Sequence, residues 1–584
     1  MPEDVLPARN CANCVDAGVP CQRLRPGRAS KQKFSPRLPE EGVFRLERAT
    51  SELQRMSKGE HLDVHETIPP GESARELFDM DIPPTPPAEL LYMLLPEPVM
   101  SNGLHHQIRW PDHISDKAFE RMMTSLLDGD CRGQLFYQYS ICVYVKAMFH
   151  LYQLVRRSTN PAVKKQLQKS KKTYEAAALQ ALKHINIMST PSLSLIQALI
   201  SAALLMQHTT NISQCWLLNS YAARQIISLN YHRPCYPPSP SGCNDEIQSA
   251  LYWCFYLDRT TSALLMRHPS LLELPAPPTG FTSSNPSSPY NKLLFVLLDL
   301  AKVQGTLLDI TLNDGDKSRS RIFEIFQGVQ ERMDRVYSSL QETRGAISGP
   351  ALYDWVAADF SYYAIYVDML RTRLGYDGSP ATHSDCLVYS RRALRAFQYL
   401  QEHADHMPGF NDPEPSFLTW TIALYPAAPF FVVFCNIIAT SDESDYRLVQ
   451  RIIKGLSQYK ATPYLARLLN LLKSLLQLCD PLFENMGNAS RQPHLAGDGH
   501  SSTDAPHNPV SNHTTSAPAF EPELAASLDQ QLSAGSYSMY MNAGLPDQGA
   551  VTASYPMADD LMWQLVNSQF PSSWLESEAI LDLL

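Results

Sequence analysis

The sequence predicts an all-α protein, and three observations carry that reading. Apolar residues recur at spacings of three and four through most of residues 90–484, the period of one helix face. Alternating apolar and polar runs bounded by Asn-Gly or Asp-Gly, the marks of β-hairpins, are not evident. No repeat with a period of about 34 residues or similar divides the chain, so the helices are expected to pack into one domain.

The N-terminal stretch 1–37 is built around "CANCVDAGVPC", which places Cys11, Cys14 and Cys21 at C-x2-C-x6-C spacing. A C-x-x-C pair brings two thiolates to one Zn2+ ion from a tight turn, and Gly18 relaxes the loop before Cys21. Three sulfurs leave a tetrahedral site one ligand short unless His61 or a more distant group completes it. The alternative is three unligated thiols. Arg23, Arg25, Arg28, Lys31, Lys33 and Arg37 follow with no acidic residue in 22–37, a basic arm suited to a polyanion. Residues 38–57 place Val43, Leu46, Thr50 and Leu53 on a and d positions. Two heptads fit a short coiled coil or a short solvated helix. The proline pairs of 58–89 favour an extended linker.

The helical block 90–484 follows. "FYQYSICVYVKAMFHLYQLVRR" (136–157), "TYEAAALQALKHI" (173–185) and "PYLARLLNLLKSLLQLCDPLF" (463–483) carry helix-period apolar stripes. Pro191 is placed to open a helix over 191–207. The lysines of 163–172 read as a nuclear-import patch or as a solvated helix face. The run "WTIALYPAAPFFVVFCNIIAT" (420–440) is long enough to span a bilayer, but Pro426 and Pro429 interrupt it. It is expected to be a core helix, and no membrane partner is expected. Residues 485–550 hold few large apolar groups and are expected to be a disordered linker. The segment 551–584 alternates acids with bulky apolar groups: Asp559 and Asp560 precede Trp563, and Glu576, Glu578 and Asp582 mix with Trp574, Leu575 and Leu581. That pattern suits a coactivator groove, or a terminal helix that docks on its own core.

Composition narrows the function. A net charge of −10 does not suit a protein that coats nucleic acid along its whole length. The 12 cysteines include Cys142, Cys215, Cys254, Cys435 and Cys479 on apolar stretches, as free thiols of a reducing compartment would be. The first residues lack the apolar core of a signal peptide, so the sequons at Asn211, Asn488 and Asn512 are expected to be idle. Motifs for nucleophilic serine, phosphate-binding loops, dinucleotides and zinc peptidases do not occur, and the "HE" at His65 lacks its second histidine. No enzyme is expected.

"CANCVDAGVPC" resembles the second half of the six-cysteine binuclear zinc cluster of fungal transcription factors. The resemblance implies that Cys11, Cys14 and Cys21 are zinc ligands and that the basic arm is the linker after the cluster. It also implies that residues 43–56 form the dimerising helix. "YAARQIISLNYHR" (221–233) and "EIQSALYWCFYLDRTTSALLMRHPSLLEL" (246–274) resemble two motifs of the family's middle homology region. The second is centred on Trp253 and includes Tyr256, Asp258, Arg259, Ser262, Arg267 and Pro269. The sequence departs from that pattern at Gln248-Ser249, where an arginine pair is usual. It departs again at Met266, where glycine is usual, and at His268, which separates Arg267 from Pro269.

The first half of the cluster, with its base-reading helix, has no counterpart here, and the expected reason is a start placed downstream of the true one. The resemblance implies an all-α regulatory domain between a partial zinc-cluster module and a disordered tail. It implies a nuclear activator-type regulator with Zn2+ as cofactor. Its partners would be double-stranded DNA if the cluster is complete, transcriptional coactivators and a second copy of the chain. Arg23, Arg25, Arg28, Lys31 and Lys33 would contact phosphates. The alternative is a relative deficient in DNA binding that acts through an intact partner. Trp253 is expected in the core, with Asp258 and Arg259 as a structural pair in or near it.

Overall fold

The computed structural model describes residues 86–94, 112–158, 160–233, 243–274, 289–313, 318–345, 347, 350–377, 379–404, 417–425, 428–459 and 463–489. Among the described residues every regular element is a helix and there is no strand. The expected boundaries at 37, 57 and 550 fall outside them.

Among the described residues fifteen helices follow in order. α1 is Ala88–Leu94, α2 Asp116–Leu127, α3 Gln134–Arg157 and α4 Pro161–Lys183. α5 is Leu193–His208, α6 Ile212–Ser228, α7 Cys243–Leu265 and α8 Pro289–Leu312. α9 is Arg319–Arg344, α10 Pro350–Asp377, α11 Pro380–His403 and α12 Phe417–Trp420. α13 is Ala428–Thr440, α14 Glu443–Leu456 and α15 Pro463–Ala489.

Side-chain caps set many of the starts. Ser115 accepts from Ala118 N, Ser192 from Leu195 N, Asn211 from Gln214 N and Ser318 from Arg321 N. Asp442 accepts from both Ser444 N and Asp445 N. Each satisfies an N–H that the helix leaves without a partner. Asn160 caps α4, with Pro161 in the first turn where its missing N–H costs nothing. Pro191 does not open α5 as expected: Ser192 is the cap and the helix begins at Leu193. The hydroxyl supplies an acceptor that proline lacks.

The helices enclose two apolar clusters. One gathers buried residues from α1 through α8, among them Phe119, Met148, Leu199, Trp253 and Phe255. The other gathers residues chiefly from α8 to α15, among them Trp355, Phe360, Phe397 and Phe430, with Ile212 of α6 and Leu265 of α7. α8 is the shared wall. Leu294, Leu297, Leu298 and Ala301 face the first cluster, while Leu293, Val296, Leu300, Val303 and Leu307 face the second. Both sets repeat at helical spacing, so one helix carries two apolar stripes.

Residues 420–440 are not one helix. α12 ends at Trp420, the chain turns through 421–425, and α13 begins only at Ala428. α13 is buried at Phe430–Cys435, Ile437 and Ile438. Among the described residues no helix is long and apolar enough to cross a membrane. α15 runs to Ala489, five residues into the stretch 485–550 that was expected to be disordered.

Candidate functional site

The densest polar arrangement in the first half centres on α7 and the turn that follows it. Asp258 and Arg259 are both buried there. The Arg259 Nη1 donates to Asp258 Oδ2 at 2.7 Å. The same carboxylate accepts Ser270 N at 2.9 Å on Oδ1 and Leu271 N at 3.0 Å on Oδ2. Asp258 therefore holds the 267–274 turn against its own helix. Arg259 lies over the Phe255 ring, 4.7 Å from its centroid. Burial pushes the Asp258 carboxyl up, opposed by the two backbone N–H groups and by Arg259. Burial likewise lowers Arg259, opposed chiefly by Asp258. The expected structural pair is thus in the core.

Hydroxyls continue the network between helices. Trp216 Nε1 on α6 donates to Ser262 Oγ at 3.0 Å, and Arg267 stacks over the same indole at 4.7 Å. Asn219 Nδ2 donates to Cys254 O at 2.9 Å. Ser270 Oγ donates to Ser220 Oγ at 3.0 Å. Thr260 Oγ1 reaches Gln304 Oε1 of α8 at 3.2 Å. The Trp-centred motif therefore joins α6, α7 and α8. Trp253 is buried and meets Tyr256 and Trp420 edge to face, at 6.0 and 6.3 Å. Trp420 packs against both apolar clusters, and Gln207 Nε2 donates to Thr419 O at 3.3 Å. The 417–425 segment thus ties the two halves together.

A second group had no sequence signal. Asp112 Oδ1 lies 2.7 Å from His113 Nδ1, and His113 Nε2 lies 2.7 Å from Ser201 Oγ. The spacing is that of a Ser-His-Asp triad. The Ser201 hydroxyl also reaches Gln197 O of its own helix at 2.8 Å, an acceptor that competes with His113 for its proton. Ser201 is also fully buried. A nucleophilic serine must give its proton to the base and meet substrate. Here the group clamps the 112–114 segment onto α5. Lys146 of α3 also binds Asp112. Burial pushes the Asp112 carboxyl up, but Lys146 and His113 outweigh it and hold it below the usual carboxylate range. The adjacent Cys142 thiol is pushed up to about 12 by burial.

No group of His, Cys, Asp or Glu among the described residues forms a metal site. The described cysteines, including Cys142, Cys215, Cys254, Cys435 and Cys479, are buried free thiols. The proposed ligands Cys11, Cys14 and Cys21, the phosphate contacts Arg23, Arg25, Arg28, Lys31 and Lys33, and His61 lie outside the described residues. So do Trp563, Trp574, Leu575 and Leu581.

The fold and this network define a helical domain whose described polar groups hold helices to one another. Residues 146–344 match the family described as fungal specific transcription factor domain. The match runs from Lys146 to Arg344, and each of these end residues is ion-paired to a partner outside it, Asp112 and Asp359 respectively. No curated protein and no solved structure matches the chain.

Proposed function

We propose that this protein is a nuclear transcriptional regulator that acts on RNA polymerase II genes. In this reading Cys11, Cys14 and Cys21 hold zinc in the N-terminal segment. Arg23, Arg25, Arg28, Lys31 and Lys33 contact duplex DNA phosphates, which set affinity more than sequence choice. The helical domain regulates, without catalysis. Residues 551–584 recruit coactivators through Trp563, Trp574, Leu575 and Leu581, whose neighbouring acids keep them in water until a groove accepts them. Two copies pair through residues 38–57. The match of 146–344 to the fungal transcription factor domain is the observation that carries the reading.

The test is a reporter assay. Residues 551–584, fused to a heterologous DNA-binding domain, are expected to raise reporter output, and Trp563→Ala, Trp574→Ala and Leu581→Ala together are expected to abolish the rise. A silent parent fusion would leave the segment without an activating role.

The three clustered cysteines favour a second reading for the 584-residue chain as it stands. Three thiolates are too few to hold two zincs, so specific DNA contact would come from an intact partner in a heterodimer. Metal analysis of the purified chain separates the two, since two zincs per chain would remove this alternative.

A further inference from the structure

The lysine face of α4 has no role in the domain described so far. Residues 158–174 carry Lys164, Lys165, Lys169, Lys171 and Lys172 with no acidic residue among them. Lys171 is buried against the Tyr152 ring, 5.3 Å from its centroid. Lys165, Lys169 and Lys172 are exposed. They stand at i, i+4 and i+7, on one face over about 10 Å of helix. No carboxylate among the described residues pairs with any of the three. Three ammonium groups this close repel one another, which a solvated face without a partner leaves uncompensated.

The chain itself holds the matching charge. Residues 492–584 contain no lysine or arginine and eleven acidic residues. All 49 Lys and Arg therefore lie before residue 492, with 48 acids (59 less 11), a balance of +1. The net negative charge of the protein is carried by its last 93 residues.

We infer that the acidic, apolar segment 551–584 docks on the Lys165–Lys169–Lys172 face of α4 in the same molecule. Glu578 and Asp582 are four apart, as Lys165 and Lys169 are, so a segment that becomes helical on contact repeats the lysine pitch of about 6 Å. Val163, exposed at the start of α4, offers an apolar contact beside the charges. The 61 residues between Ala489 and 551 have a contour of about 200 Å, so reach does not limit the contact. The tether holds the tail at an effective concentration near the millimolar range. DNA is the poorer occupant, because phosphate binding draws on many basic groups and the rest of the folded body is close to neutral. The contact stands apart from the activation reading. Only its consequence, competition between α4 and a coactivator for the same acidic and apolar groups, rests on that reading.

A zero-length carbodiimide, which joins ammonium to carboxylate, tests the contact in the full chain at low protein concentration. Crosslinks between 161–183 and 551–584 are expected to exceed those from other exposed lysines several-fold and to be independent of protein concentration. They are expected to fade near 0.5 M salt, where the screening length shrinks to about 4 Å. Lys165→Glu, Lys169→Glu and Lys172→Glu together, at exposed positions that leave the helical circular dichroism unchanged, should remove them. Crosslinks spread evenly over the surface lysines, or unchanged in the triple variant, would overturn the proposal. A triple variant that loses affinity for duplex DNA while keeping its tail crosslinks would assign the face to DNA instead. The reporter fusion of 551–584 lacks α4, so failure of docking and failure of activation are read separately.

Discussion

Thr210, Asn230, Met266 and Ser441 hold left-handed backbone with φ of 62°, 57°, 52° and 55°, and each stands just past the C-terminus of a helix. At Met266 the geometry closes two bonds, Arg267 N to Ser262 O at 3.0 Å and Met266 N to Ala263 O at 3.4 Å. Asn230 makes the same pair of bonds, with Tyr231 N to Ile226 O and Asn230 N to Ile227 O, both 3.0 Å. These are helix ends that favour glycine. Methionine at 266 is therefore strained by about 1 kcal/mol. Met266→Gly is expected to raise the melting temperature of the full chain, and a fall would show that the methionine contacts outweigh the strain. Gly305 presents the opposite case. A Cβ there would sit 2.7 Å from Arg259 Cδ and 3.0 Å from its Nε. Arg259 is buried, so it has little room to move. Gly305→Ala is expected to cost about 1–3 kcal/mol by overpacking, measured by denaturant unfolding, although alanine is the better helix former.

At the scale of elements, α7 joins helices of both halves. Its Trp253 meets Trp420 in the segment that packs on both clusters, and its hydroxyls reach α6 and α8. Trp253→Ala is expected to cost about 3–5 kcal/mol, read from the unfolding midpoint of the full chain, and a neutral effect would displace Trp253 from the core. α6 shows how a sequence feature is absorbed by structure. Asn211 begins a sequon, yet it is buried as the cap of α6, a position closed to a glycan.

For the whole molecule, a buried imidazole and a partly buried carboxylate work against acid stability. The His208 ring meets Phe149 and Tyr152 edge-on at 5.5 and 6.2 Å. Burial, helped by Lys171, lowers it from 6.5 to about 3. The unfolded chain takes up a proton below pH 6.5 that the folded chain refuses, so stability is full above 6.5 and falls toward pH 3. Asp112 adds to this at lower pH. Its folded pKa is depressed, so its contribution is present above about 3.8 and lost as pH falls further. Asp258 opposes the trend weakly, since its raised pKa makes protonation easier in the fold. The melting temperature is expected to fall between pH 6.5 and 5, and His208→Gln, which does not titrate, is expected to flatten that fall. An unchanged slope in the variant would assign the acid lability elsewhere.

The sequence by itself determined the fold class and the family resemblance. Helical periodicity is a local property, and the stretches 136–157 and 463–483 write it plainly. The Trp-centred motif also carried the expectation that Trp253 lies in the core and that Asp258 and Arg259 form a structural pair in or near it, and all three are buried. Tertiary structure alone decided the rest. The Asp112–His113–Ser201 group joins residues 88 apart, and Gly305 is required by a side chain 46 positions away. Nothing in either neighbourhood of the sequence signals such contacts. They follow from which helix faces meet, and that is fixed only when every apolar stripe, including the two on α8, has found its partner.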